Sequence, residues 1–167
     1  MNADNARVFI ALWPDQATRD ALRAWRDRWT WPRNASPVRT ERLHVTLHFL
    51  GNVARAQLPA LTAALAVPIT PFVLEFGHPE LWPHGIAVLA PDSVPEPLLR
   101  LQRDLGERLP ALGLQPEARA YRPHVTLARR AADAIMPLSG PAVRWTVDGY
   151  ALMESAPDGY RVLYAYN

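Results

Sequence analysis

The chain has 167 residues, a formal net charge of +2 and no cysteine, so disulfides, thiolate catalysis and cysteine-ligated zinc are excluded. A hydrophobic fraction of 49% and a charged fraction of 20% suit a soluble globular protein. At this length one domain spanning 1–167 is expected to bury roughly 68–70% of its unfolded surface. No apolar run approaches the ~18 residues of a membrane span. The polar residues 1–7 lead into the apolar 8–12 without a signal-peptide layout, which predicts a cytoplasmic location. A monomer is the default expectation. All 18 basic residues are arginine, and with so small a net charge any binding of a polyanion must be local.

In chain order, residues 7–13 read as a β-rich strand ending at Pro14. Asp15 is placed to cap a helix carrying Leu22, Trp25 and Trp29 on one face. Residues 43–50 alternate at period two and are closed by Gly51-Asn52, a second strand. Leu58, Leu61 and Leu65 recur at helical spacing, with Pro59 confined to the first turn. Two strands are expected at 72–76 and 85–90, separated by a turn at 77–80. Ser93 and Glu96 fit a capping box before Leu98, Leu101, Leu105 and Leu109, and Gly113 is placed to end that helix. A strand at 122–128 begins on its proline, and β-rich stretches at 143–153 and 160–166 finish the chain. The total predicts an α+β fold.

The tetrapeptide His-Val-Thr-Leu occurs at 44–47 and again at 124–127, 80 residues later, which suggests two related lobes. Within each copy, strand alternation puts His and Thr on one face and Val and Leu on the other. His44, Thr46, His124 and Thr126 are thereby expected to line one cleft. These residue types suit hydrolysis of a cyclic phosphodiester, in which water attacks phosphorus while a ribose oxygen departs from the opposite side. A neutral imidazole can take the proton from water, and a protonated one can give a proton to the leaving oxygen. Both states are accessible near the unperturbed imidazole pKa of about 6.5, which predicts a bell-shaped pH profile. The threonine hydroxyls can donate to the non-bridging oxygens as their negative charge grows. No step of this scheme requires a metal or another cofactor.

With these residues the chain resembles the bacterial and archaeal RNA 2′,3′-cyclic phosphodiesterases, also called 2′-5′ RNA ligases, of the two-histidine phosphoesterase superfamily. The likeness rests on Arg7-Val-Phe-Ile-Ala-Leu12, Leu43-His-Val-Thr-Leu-His-Phe-Leu-Gly51 and Pro123-His-Val-Thr-Leu-Ala-Arg129, with a late strand ending near Ser155 before Tyr160. It implies two pseudo-symmetric lobes of antiparallel sheet with outer helices and an active cleft between the sheets. It also implies hydrolysis of a 2′,3′-cyclic phosphate on RNA ends or nucleotides to a 2′-phosphomonoester, with reversible 2′-5′ ligation as companion reaction. His44 and His124 resemble the catalytic pair, Thr46 and Thr126 the phosphate-holding hydroxyls, and Arg129 a source of positive charge. Strict alternation would turn Arg129 away from His124 and favour Arg130, so a bulge or a strand end is needed for Arg129 to reach phosphate. The chain departs from the family at His84-Gly85, where an arginine is common, and at His48, where a small or apolar residue is common.

His48 is expected on the face of His44, where it could tune its pKa. Phe49 and Tyr121 each lie near a catalytic histidine and could sandwich a base, although alternation assigns Phe49 to the core face. Trp31 stands outside the helical spacing of Trp25 and Trp29 and is the base-stacking candidate among several arginines. His78 and His84 belong to expected turns and read as solvated. Two rival functions remain: a non-catalytic binder of RNA ends on the same fold, and a metal hydrolase ligated by His44, His48 and His124.

Overall fold

The structure is a computed structural model and describes residues 3–167. Its nine strands are β1 (Asn5–Leu12), β2 (Ser36–Pro37), β3 (Val45–Ala54), β4 (Phe72–Trp82), β5 (Ile86–Pro91), β6 (Val125–Arg129), β7 (Val143–Val147), β8 (Tyr150–Ala156) and β9 (Gly159–Tyr166). They join in the order β7-β4-β5-β6-β3-β1-β8-β9, with β2 paired to β6, and every pairing is antiparallel. Helices α1 (Gln16–Asp27), α2 (Leu58–Ala64) and α3 (Glu96–Arg108) complete an α+β fold. Apart from β2, four strands lie on each side of the junction between β3 and β6, the two strands that follow the two histidines. That junction is a single pair, Val45 opposite Val125.

The apolar alternation of β1 and of the motif strands places Val8, Ile10, Leu43, Val45, Leu127 and their neighbours in one continuous core. α1 forms because Asp15 accepts a hydrogen bond from the Thr18 amide at 2.7 Å, satisfying one of the helix's free donors. Its Leu22 and Trp25 face the core, and the Trp25 indole donates to Pro141 O at 2.7 Å. Arg19, buried on the same helix, donates to Pro14 O at 3.3 Å and to Thr40 O and Leu43 O at 3.0 Å. It thereby ties α1 to the segment immediately before His44.

Four expectations change. β3 does not stop at Gly51 but runs to Ala54, with Gly51 at φ +77° where the ladder shifts register. The expected turn at 77–80 is instead the middle of β4, where the register skips Gly77; the chain reverses at residues 83–85, with His84 and Gly85 both at positive φ. α3 begins at Glu96 with an extended Pro95 at its cap, and because proline has no side-chain acceptor the expected Ser93–Glu96 capping box does not form. The β-rich stretch 143–153 is two strands at remote places in the sheet: β7 is an edge strand beside β4, whereas β8 lies between β1 and β9. Gly149 makes the break, since a Cβ there would lie 2.5 Å from Tyr166 O.

Asp15→Ala is expected to lower stability by about 1 kcal/mol, measured by urea unfolding, through loss of the α1 cap. Asp15→Asn, which can still cap, should retain most of it; equal losses in the two variants would assign the effect to charge instead.

Candidate active site

The two motif strands have the same burial pattern over 43–49 and 123–129: buried and half-buried residues alternate through the threonine, then two buried residues follow, then an exposed one. The cause is a bulge at the same place in each. On β3, Ile10 is opposite His48 and Ala11 is opposite Thr46, leaving Leu47 without a partner on β1. On β6, Ala87 is opposite Ala128 and Val88 is opposite Thr126, leaving Leu127 without a partner on β5. An extra residue reverses the side-chain parity beyond it. Phe49 and Arg129 therefore come round to the face of Thr46 and Thr126, while His48 and Ala128 turn into the core.

His44, Thr46, His124, Thr126 and Arg129 line one cavity of about 230 Å³. His44 Nδ1 is 2.6 Å from Arg42 O, and His124 Nδ1 is 2.7 Å from Arg122 O. A carbonyl only accepts, so Nδ1 carries the hydrogen in both rings, which leaves each Nε2 lone pair directed away from that carbonyl. His44 Nε2 lies 2.9 Å from Thr46 Oγ1 and accepts from that hydroxyl. Aromatic rings hold the imidazoles further. Phe9, Tyr160 and Trp13 stand 5.0, 5.5 and 5.9 Å from His44 between ring centroids, and Trp82 stands 4.4 Å from His124.

Burial pushes His44 down to about 4; the Arg42 carbonyl opposes it, and the charges of Arg19, His124 and Arg129 lower it further. His124 is also lowered, first by burial and then by Arg122 and Arg129, while the Arg122 carbonyl and Glu80 pull it back. Both rings are therefore neutral at pH 7 in the free protein, in contrast to the unperturbed imidazoles assumed from sequence. Arg129 is the cavity arginine whose charge bears on both.

The other sequence candidates divide. Phe49 is 46% exposed, not in the core, and stands at the boundary between this cavity and a larger one of about 710 Å³. Tyr121 lines the larger cavity and donates its hydroxyl to Thr46 O at 2.8 Å, so it braces the motif strand. His48 is 6% exposed, with Nε2 2.6 Å from Gln102 O of α3, and burial lowers its pKa. It does not share the face of His44, so the three-histidine metal set does not assemble; among the described residues no group of three His, Cys, Asp or Glu side chains could hold a metal. Trp31 stacks on buried Trp29 at 5.0 Å and packs on the core, which removes one face from any base. His78 lies on β4, 3.2 Å from Asp92, rather than in a turn. His84 is in the turn and lines the larger cavity.

Sequence reasoning missed Arg7, Phe9, Arg42, Trp82 and Tyr160 as site residues. Alternation in β1 puts Arg7 and Phe9 on one face, a signal that was present. Trp82 had none, because its strand was expected to end six residues earlier.

The comparisons agree with this geometry. The sequence profile of the 2′-5′ RNA ligase superfamily matches residues 13–159. An RNA 2′,3′-cyclic phosphodiesterase of Escherichia coli is 29% identical over 150 residues, 89% of this chain and 83% of that protein. An RNA 2′,3′-cyclic phosphodiesterase of Thermus thermophilus is 31% identical over 171 residues, 89% of this chain and 81% of that protein. The crystal structure of E. coli LigT complexed with 3′-AMP superposes with a TM-score of 0.86 at 25% identity, covering 97% of each chain. No helix among the described residues is long and apolar enough to cross a membrane. With two histidine motifs meeting at the centre of one curled antiparallel sheet, and a profile match across most of its length, the chain belongs to the 2′-5′ RNA ligase superfamily.

Proposed function

We propose that this protein, working as one two-lobed unit, opens 2′,3′-cyclic phosphates on RNA ends or nucleotides to 2′-phosphomonoesters, with His44 and His124 as its proton-transfer pair and no metal. The observation that carries this reading is the matched hold on the two imidazoles, each with Nδ1 on the carbonyl two residues before it and both lining one cavity. The relatives' names supply the substrate class.

Water attacks phosphorus and gives its proton to one Nε2; the P–O3′ bond breaks, and the ribose oxygen takes a proton from the other Nε2. Thr46, Thr126 and Arg129 hold the non-bridging oxygens as phosphorus becomes five-coordinate. We assign the base to His44, which burial, Arg19 and Arg129 push down to about 4, and the acid to His124, which burial, Arg122 and Arg129 also lower but which, unlike His44, has a carboxylate, Glu80, acting in the opposite direction. A bound phosphate anion supplies the opposite charge that raises the acid's pKa. For ligation, a 5′-hydroxyl replaces water in the same geometry.

Incubation with a 2′,3′-cyclic-phosphate oligonucleotide in excess chelator should yield the 2′-phosphate. His44→Ala and His124→Ala should each lose about 10²–10⁴-fold in kcat/KM. Tight binding without turnover would favour the RNA-end binder instead. On an aryl phosphodiester whose leaving group needs no proton, His124→Ala should lose much less than His44→Ala, and the reverse order would exchange the two roles.

Because both imidazoles are lowered in the free protein, the pH optimum of kcat/KM should lie below 6.5, and that of kcat, reporting the phosphate-bound protein, at higher pH. Arg129→Gln removes a cation that lowers both rings, so it should move the kcat/KM limbs upward. Limbs that stay in place would show that Arg129 does not act on the pair.

A further inference from the structure

The smaller cavity contains more positive charge than one phosphodiester needs. Arg7, Arg42 and Arg129 all line it, and no Asp or Glu does. Among the described residues, no carboxylate lies within ion-pair distance of any of the three, although eight other basic side chains form such pairs. In a chain of net charge +2, three unpaired guanidiniums around about 230 Å³ are a concentrated charge. They repel one another unless an anion enters. A cyclic phosphodiester carries a single negative charge, and Arg129 is the guanidinium that bears on the two imidazoles where it would sit.

The Arg7 and Arg42 guanidiniums lie over aromatic rings that line the same cavity. The Arg7 guanidinium carbon lies 5.0 Å above the Phe49 ring, and that of Arg42 lies 5.4 Å above Tyr160. Arg42 Nε is buried and has no hydrogen-bond partner among the described residues. A buried donor left unsatisfied costs free energy that a bound acceptor would recover. The fork of an arginine, fixed against a ring, is suited to the paired oxygens of a phosphate.

We propose that Arg42 and Arg7 form a second phosphate subsite, so that the preferred substrate carries a phosphate on the 5′ oxygen of the nucleoside whose cyclic phosphate is opened. This rests on the hydrolase reading for the placement of the first phosphate. The same chemistry is offered by a free 5′-phosphate and by the internucleotide phosphodiester of a longer RNA.

Equilibrium binding of product-like ligands tests the subsite without turnover. Adenosine 2′,5′-bisphosphate is expected to bind at least about tenfold more tightly than adenosine 2′-monophosphate, as charge-assisted hydrogen bonds to phosphate imply. In Arg42→Gln, and separately in Arg7→Gln, which leaves the backbone carbonyl that holds His44 unaltered, the ratio should fall towards one. A 2′-phosphorylated diadenosine monophosphate distinguishes the sources: a gain equal to that of the bisphosphate assigns the subsite to the internucleotide phosphate, and a gain confined to the bisphosphate assigns it to a terminal 5′-phosphate. A ratio near one in the parent protein, no measurable preference at millimolar ligand, or a ratio that persists in both variants would overturn the subsite. Absence of cyclic-phosphate opening beside an intact binding ratio would remove the hydrolase reading and leave the subsite standing.

Discussion

The site depends on one backbone pairing, Val45 opposite Val125, where the two halves of the sheet meet. Antiparallel pairing at that position brings the start of each motif strand to the same point, so residues 80 apart in sequence become neighbours across a seam. Both valines are fully buried, and the core holds them there. A register slip of one residue would send every motif side chain to the opposite face, so burial of Val45, Leu47, Val125 and Leu127 also fixes the orientation of the histidines.

The paired bulges modify that rule at one place in each strand. By leaving Leu47 and Leu127 unpaired, they reverse parity just after the threonine and bring the fifth residue beyond each histidine, Phe49 or Arg129, to the cavity. The same local irregularity thus supplies an aromatic wall from one lobe and a cation from the other. The two motif strands share this irregularity but present different side chains through it.

Electrostatics and burial act together on the imidazoles. Burial and nearby guanidiniums both disfavour the protonated ring, so the free site holds neutral histidines in a cavity whose three lining arginines have no carboxylate partner among the described residues. In the proposed reaction an incoming phosphate would supply the missing charge, pairing the arginines and raising the pKa of a nearby imidazole, and so would link binding to the protonation state that the proposed catalysis requires.

Local sequence determined a large part of this protein: the α+β content, the Asp15 cap, the apolar faces of the motif strands, and the two His-x-Thr units, because capping and period-two alternation are properties of neighbouring residues. Tertiary structure alone decided the rest. Strict alternation placed His48 with His44 and Phe49 in the core, and both assignments fail because a bulge depends on the partner strand, not on the bulged strand's own residues. In the same way Tyr160 and Trp82 reach the imidazoles through sheet pairing and chain reversals with no local signature. What a residue does alone or beside its neighbour can be read along the chain; what it faces across a sheet depends on how strands far apart in sequence are paired.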